Sequence, residues 1–448
     1  MPSLQTQVPF SMIDAKPNKE PTAPRAALKA ASSLLAVSMM VAVGLLGLAA
    51  TADAQDLDLL INDGHVIDPK NGIDGVMDVG IAGDTIAVVA PDVAPSRADR
   101  VVDASGLYVT PGLIDMHGHV FHGTEDDAYL SNSYSALKPD AHTFRSGTTT
   151  IVDVGGPGWR NIRQFINQTV AHSQTRVLAF INIVGAGMKG LPEQNLHDMD
   201  PRMTAMAAEQ FDDVVVGVKL AHYRGHDWTP TERTVEAGER AGIPVMIDFG
   251  GASPPLSIET LFFEYLRPGD IYTHAYALLG QQEQRQSVVD EQHELRPFVR
   301  DAQERGIKFG LGHGGGSFDY DAAVPATQAG LWPDAISTDL HTGSMNAGMK
   351  SMTNVMSKMM ELGMGLEEVI AASTWQPAQI IQRPELGNLD VGAPADVAVL
   401  DLQEGTFGFV DVDGDRREGT QKLVAALTIR AGDVVWDLNG IAASPWDE

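Results

Sequence analysis

Eight short apolar runs, each followed by a loop and helix-like sequence, occupy residues 111–385 and constrain this chain more than any other feature. In order they are "GLIDMHGHV", "GTTTIVDVGG", "TRVLAFINIVG", "DVVVGVKLAH", "IPVMIDFGG", "GDIYTHAYA", "IKFGLGHGGG" and "DAISTDLHTG". Strands alternating with helices predict a parallel sheet, and eight such units close naturally into an α/β fold, the (β/α)8 TIM barrel. No residue-level repeat accompanies the count, which rests on the alternation alone.

The flanks read differently. "LDLLINDGHVIDP" and "GVMDVGIAGDTIAVVAP" alternate apolar and polar residues around Asp-Gly and Gly-Asp turn signals. Similar sequence returns as "ADVAVLDL", "GTFGFVDV" and "KLVAALTIRAGDVVWD". These segments predict a small β-sandwich built from both ends, residues 56–110 and 386–440, around a barrel at 111–385.

Residues 1–54 stand apart from this fold. Arg25 and Lys29 precede an uncharged stretch that ends in small residues at Ala52 and Ala54. That order predicts a signal peptide cleaved after Ala54 and a periplasmic or secreted protein. The alternative is a retained anchor, since residues 30–52 are just long enough to span a bilayer.

Composition narrows the chemistry. Acidic residues number 59 against 31 basic ones, a net charge of −28, which argues against nucleic acid or an anionic membrane surface as partner. The expected partner is a small-molecule substrate, with no membrane contact after signal cleavage; homo-oligomers are compatible with this reading. There are no cysteines, so disulfides, thiolate nucleophiles and Cys-ligated metals are excluded. Any metal must be held by His, Asp, Glu or a modified Lys.

Polar residues fall at the C-terminal ends of the apolar runs: His117, His119, Lys219, Asp248, His274, His313 and Asp339. Barrels build their active sites on that rim. Residues i and i+2 of a strand share a face, which pairs His117 with His119 and Asp339 with His341 and turns His122 the other way. One such histidine is ordinarily a satisfied structural residue. Seven groups at six of the eight strand ends need partners or a metal.

"GLIDMHGHVFHG" resembles the HxH opening of the amidohydrolase superfamily, and "VGAPADVAVLDL" its return to the small β domain. With "GVKLAH", "YTHAYALLG", "LGHGGGSF" and "ISTDLHTGSMNAGMKSMTNVMSKMMELGM", the chain resembles the amidohydrolase/deacetylase metallohydrolase branch, kin to dihydroorotases, over about residues 56–440. The resemblance implies a metal-dependent amidohydrolase acting on C–N bonds, with two divalent ions, zinc first and manganese or iron as alternatives. His117 and His119 would hold one ion and His274 the other, with Lys219 as a bridging N6-carboxylysine. Asp339 would bind metal and move the proton of a metal-bridging hydroxide. The competing roles are an ordinary paired strand-end lysine for Lys219 and a helix N-cap for Asp339.

At the fifth strand the family's usual histidine is replaced by Asp248. Three explanations stand: an oxygen ligand, a weakly held second metal, or damaged activity. Charge favours the first, because carbamate, Asp248, Asp339 and hydroxide together balance two divalent ions. On the substrate side, His313 is the candidate for hydrogen bonding the scissile group, with loop structure as its alternative. His341 would orient Asp339, and Arg224 would pair with a substrate carboxylate or stay solvated. Met345, Met349, Met352, Met356, Met359 and Met360 step by three and four, which predicts the core face of the last helix. "GHGGGSF" lacks the Lys-Ser/Thr of a P-loop.

The expected function is deacetylation of small N- or O-acyl compounds by an exported hydrolase. A cyclic amidohydrolase of dihydroorotase or hydantoinase type is the alternative, followed by a metal-binding barrel without catalysis.

Overall fold

The computed structural model describes residues 56–248, 251–278 and 286–446. The signal or anchor expected at 1–54 lies outside the described residues. Among those described, no helix is long and apolar enough to cross a membrane.

A seven-stranded, wholly parallel sheet forms the centre. Its strands are β1 (Leu113–Gly118), β2 (Thr148–Gly158), β3 (Arg176–Asn182), β4 (Val215–Ala221), β5 (Val245–Asp248), β6 (Ile271–Tyr272) and β7 (Lys308–Phe309), hydrogen-bonded in sequence order. Strands β1, β2, β4 and β5 are buried along their whole length. Such strands are covered on both faces, which is why they read as continuous apolar runs without alternation.

The eighth expected strand, "DAISTDLHTG", is an extended segment rather than a regular strand. It still joins both edges of the sheet. Ala335 and Ser337 accept from the Leu311 and His313 amides (3.0 and 3.2 Å), while Asp339 N donates to His117 O (2.7 Å) and Leu340 O accepts from His119 N (2.9 Å). The sheet therefore curls until residues 335–340 lie against β1 and β7 together.

Helices alternate with the strands as expected, with one exception. Between β1 and β2 the described residues form only 3-10 turns, at Pro139–Ala141 and Phe144–Ser146. The helix after the eighth position, Met352–Glu361, starts where Ser351 Oγ accepts from Asn354 N (3.3 Å). Met352, Met356 and Met359 are buried and Met360 partly so, the core stripe predicted from their spacing.

Both flanks contribute to one eight-stranded sheet. Its path runs Asp433–Asp437, Arg416–Arg430, Val397–Val410, Tyr108–Pro111, Leu59–Asp68, Ile73–Ala82 and Thr85–Ala90, with Val101–Asp103 beside Leu59–Asp68. Residues from the two ends thus meet where Val397–Leu400 pairs with Tyr108–Pro111. The methionine helix packs on this sheet, and Leu423 N donates to Ser357 Oγ (2.9 Å).

Candidate metal centre

The end of β5, the turns after β4 and β6 and residues 339–343 line a cavity of about 750 Å3, and His117 and His119 at the end of β1 lie against Asp339 on its wall. Its lining includes His222, Arg224, Asp248, His274, Asp339 and His341. A second hollow, of about 500 Å3, lies at the N-terminal ends of β5 to β7, against Pro244, Asp270 and Lys308, away from these groups.

Asp339 is the hub of the first half. Its Oδ1 stands 2.9 Å from His119 Nε2 and 3.5 Å from His117 Nε2, and its Oδ2 is 4.0 Å from His341 Nε2. Burial pushes the carboxyl up, but His117, His119 and His341 hold it well below the usual carboxylate range. It is therefore ionised, yet Oδ1 is buried with no aligned hydrogen-bond partner among the described residues, and so is His119 Nδ1. A buried carboxylate oxygen crowded by two imidazole nitrogens without an aligned hydrogen bond is costly on its own and natural around a cation.

Lys219, Asp248 and His274 make the second half. Asp248 Oδ2 lies 3.2 Å from His274 Nε2 and 3.7 Å from Lys219 Nζ. Burial raises the Asp248 carboxyl, and His274, Lys219 and His222 more than reverse that, holding it well below its ordinary value. The Lys219 side chain is 1 % exposed, with Nζ 3.7 Å from Met246 Sδ. Gly155 makes room for it: φ there is +95°, and a Cβ would stand 2.9 Å from Lys219 Cγ.

The two halves adjoin. His117, His274 and Asp339 offer ligand atoms that all lie within 4.8 Å of one another. Burial pushes His117 well below its ordinary pKa, which favours the neutral imidazole that a metal takes. Its Nδ1 lies 2.9 Å from Thr273 Oγ1, and His274 Nδ1 lies 2.7 Å from Gly312 O, contacts that leave each Nε2 to face the centre. A donor set of imidazoles and carboxylates with an orphaned oxygen fits a divalent first-row cation. His274 (φ +57°) and Asp339 (φ +52°) both adopt the left-handed backbone rare for non-glycine residues. Strain of that kind gathers where the surrounding structure must aim a side chain. Gly314 allows the approach, since a Cβ on it would stand 2.4 Å from Asp339 Oδ2.

Of the substrate-side candidates, Arg224 and His341 line the cavity, and Gly343 N donates to His341 Nδ1 (3.0 Å). His122 turns to the Ala136 carbonyl (3.2 Å). His313 is fully buried and is not among the lining residues; Gly315, Gly316 and Ser317 of its loop are. Its ring stacks on Phe318 (centroids 4.7 Å), its Nδ1 lies 2.9 Å from Gly314 O, and its Nε2 lies 2.6 Å from Lys358 Nζ. This geometry matches the loop-structure alternative for His313.

Lys358, unnoticed in the sequence, is 0 % exposed and gives its other donors to Gly348 O (2.7 Å) and Val410 O (2.6 Å). Burial and then Lys350 push its pKa down to about 7 from 10.5. Between those values the unfolded chain binds the extra proton, so this group adds stability as pH rises. From pH 7 to 9 wild type should gain about 2 kcal/mol that Lys358→Met lacks. Urea unfolding at both pH values measures it; parallel pH profiles for the two proteins would refute it.

Two carboxylates hold the histidine strand in place. Asp115, raised to about 6 by burial against the bonds from Thr338, accepts from the Thr338 amide (3.0 Å) and hydroxyl and so ties β1 to the eighth segment. Asp153 Oδ2 accepts from the Val120 and Phe121 amides (2.6 and 3.0 Å), which pins the backbone directly after His119.

Comparison with known proteins bears on this site. Residues 275–436 match the model of an amidohydrolase family. A deacetylase of Agrobacterium fabrum is 32% identical over 348 residues, covering 75% of this chain and 81% of that protein. The structure is similar to that of an adenine deaminase (TM-score 0.75, 25% identity) over 85% of this chain and all of the other. It is also similar to a dihydroorotase (TM-score 0.73, 26% identity) over 85% of this chain and 99% of the other.

Proposed function

The chain belongs to the amidohydrolase family and is a hydrolase acting on C–N bonds, and from that premise we propose that it deacetylates small N- or O-acyl compounds. One observation carries the reading: Asp248, His274 and Asp339 line one cavity, with His117 and His119 against Asp339 and Lys219 against Asp248. The deacetylase relative supports it. On the same reading the curled sheet is a (β/α)8 barrel with a small β-sandwich beside it, and residues 1–54 direct export.

His117, His119 and Asp339 would hold one divalent ion, and Asp248, His274 and carboxylated Lys219 the other, with zinc first and manganese or iron as alternatives. When bound, such ions lower the pKa of water and polarise a carbonyl. The chain's own residues do the rest. Asp339, held ionised by the imidazoles around it, takes the proton of the attacking water and returns it to the leaving nitrogen or oxygen. His341 faces its other oxygen. Arg224, on the cavity wall, would pair with a substrate carboxylate.

Likeness to a dihydroorotase favours one second reading, a cyclic amidohydrolase. The zinc- or manganese-loaded chain, assayed against acetylated amino and hydroxy acids and against cyclic ureides, separates the two. Deacylation of the acids without ureide opening is expected. Ureide opening alone would replace the first reading with the second, and inactivity on both with two ions bound would favour a non-catalytic metal-binding protein.

A further inference from the structure

The fifth strand supplies a carboxylate, Asp248, where its relatives' resemblance leads one to expect an imidazole. The structure brings an imidazole to the same spot from elsewhere. His222, immediately after β4, directs Nε2 to 3.9 Å from Asp248 Oδ2, beside Lys219 at 3.7 Å and His274 at 3.2 Å. Two donors on one zinc ion at about 2.1 Å stand roughly 3–4 Å apart, so these separations suit a shared cation.

His222 is built for a fixed direction. Its backbone is left-handed (φ +58°), like that of His274 and Asp339 and unlike most non-glycine residues. Gln194 Nε2 donates to its carbonyl (2.7 Å) and Gln194 Oε1 accepts from Arg224 N (2.9 Å), which hold this turn. On the other ring nitrogen, Nδ1 meets Glu193 Oε2 at 2.9 Å. Glu193 is 0 % exposed, and its second oxygen accepts from Gly190 N (2.6 Å), so it is itself fixed. A buried carboxylate on one imidazole nitrogen sets the tautomer and leaves the other nitrogen's lone pair facing outward, the arrangement that orients metal-binding histidines. Here the outward nitrogen faces Asp248 and the cavity.

We infer that His222, oriented by Glu193, is an additional nitrogen ligand of the cation held by Lys219, Asp248 and His274, replacing the imidazole absent from β5. The inference rests on the two-cation reading of this site. It explains how a strand end with a carboxylate still offers its metal two imidazoles, and why Glu193 and Gln194 both bond to His222.

The test uses the full chain, stripped and reloaded with Zn2+ or Co2+. Wild type should hold two ions. His222→Ala should keep one ion at wild-type affinity and bind the other about 10- to 100-fold more weakly, and Glu193→Gln should weaken the same ion by about 10-fold. In Co2+ protein, His222→Ala should also shift the visible d–d absorption of one ion, a change that a packing defect would not produce. Glu193→Gln keeps the test open should His222→Ala fail to fold. Two ions held at wild-type affinity in both variants, with an unchanged Co2+ spectrum, would overturn the inference and leave the proposed function standing; His222 would then be an imidazolium between two carboxylates. A single ion in wild type would overturn the two-cation reading and this inference together.

Discussion

Asp339→Asn should lower kcat/KM by about 10³-fold or more, with metal supplied at saturating concentration, because the substitution removes the group proposed to carry the proton. The change is nearly isosteric, so the cavity keeps its shape, and the backbone bond from residue 339 to His117 O is untouched. What changes is charge and donor character. Asp339 Oδ1 lies 2.9 and 3.5 Å from two histidine nitrogens and stays ionised because three imidazoles surround the carboxyl. An amide there carries no charge to balance a cation and accepts a proton far less readily. Weaker metal binding should accompany the loss, since the remaining imidazoles are neutral ligands. Steady-state kinetics at high metal, paired with metal analysis, separates the two effects. Activity within about tenfold of wild type, with metal bound, would remove Asp339 from the proton pathway.

The parts of this molecule legible in the sequence are those where position along a strand decides the outcome. A polar residue that ends a buried parallel strand has one direction to face, so the strand ends mark His117, His119, Lys219, Asp248, His274 and Asp339; Asp248, His274 and Asp339 line the cavity, and the other three lie against Asp339 or Asp248. The methionine stripe was readable for a similar reason, because three-and-four spacing fixes a helix face. His313 shows the limit of that logic. It follows β7 among glycines, where backbone direction is free, and it turns into the core toward Lys358, 45 residues away. Nothing local in "MSKMM" distinguishes a buried lysine from a solvated one. His222 escaped notice because it lies past the strand, in left-handed backbone that alternation does not describe. Asp115 and Asp153 sat in view inside apolar runs. A carboxylate in a wholly buried strand must find donors, and that accounting alone would have marked both as pins of the histidine strand. The eighth element was expected as a strand; it keeps the strand's contacts with both neighbours while lacking its regular ladder.

Lys219→Ala should remove at least one divalent ion per chain and reduce activity by about 10³-fold or more, a loss larger than that of a packing defect. An ammonium at this depth is costly: the side chain is 1 % exposed, at the end of a strand whose every residue is buried. Asp248, 3.7 Å from Nζ, is shared with His274 and His222, so that carboxylate does not belong to the lysine alone. On the proposed reading, a neutral Lys219 amine would add CO2, releasing one proton and leaving a carbamate anion beside Asp248. The alanine variant would then lose both that anion and the volume it occupied. Acetate or propionate should enter the space left behind and restore part of the metal content and activity, because either returns a carboxylate to the same place. Methylamine should restore neither. Rescue by the acid assigns Lys219 its role as a carboxylate bearer, whereas rescue by the amine, or a variant that still binds two ions unaided, identifies an ordinary strand-end lysine paired with Asp248.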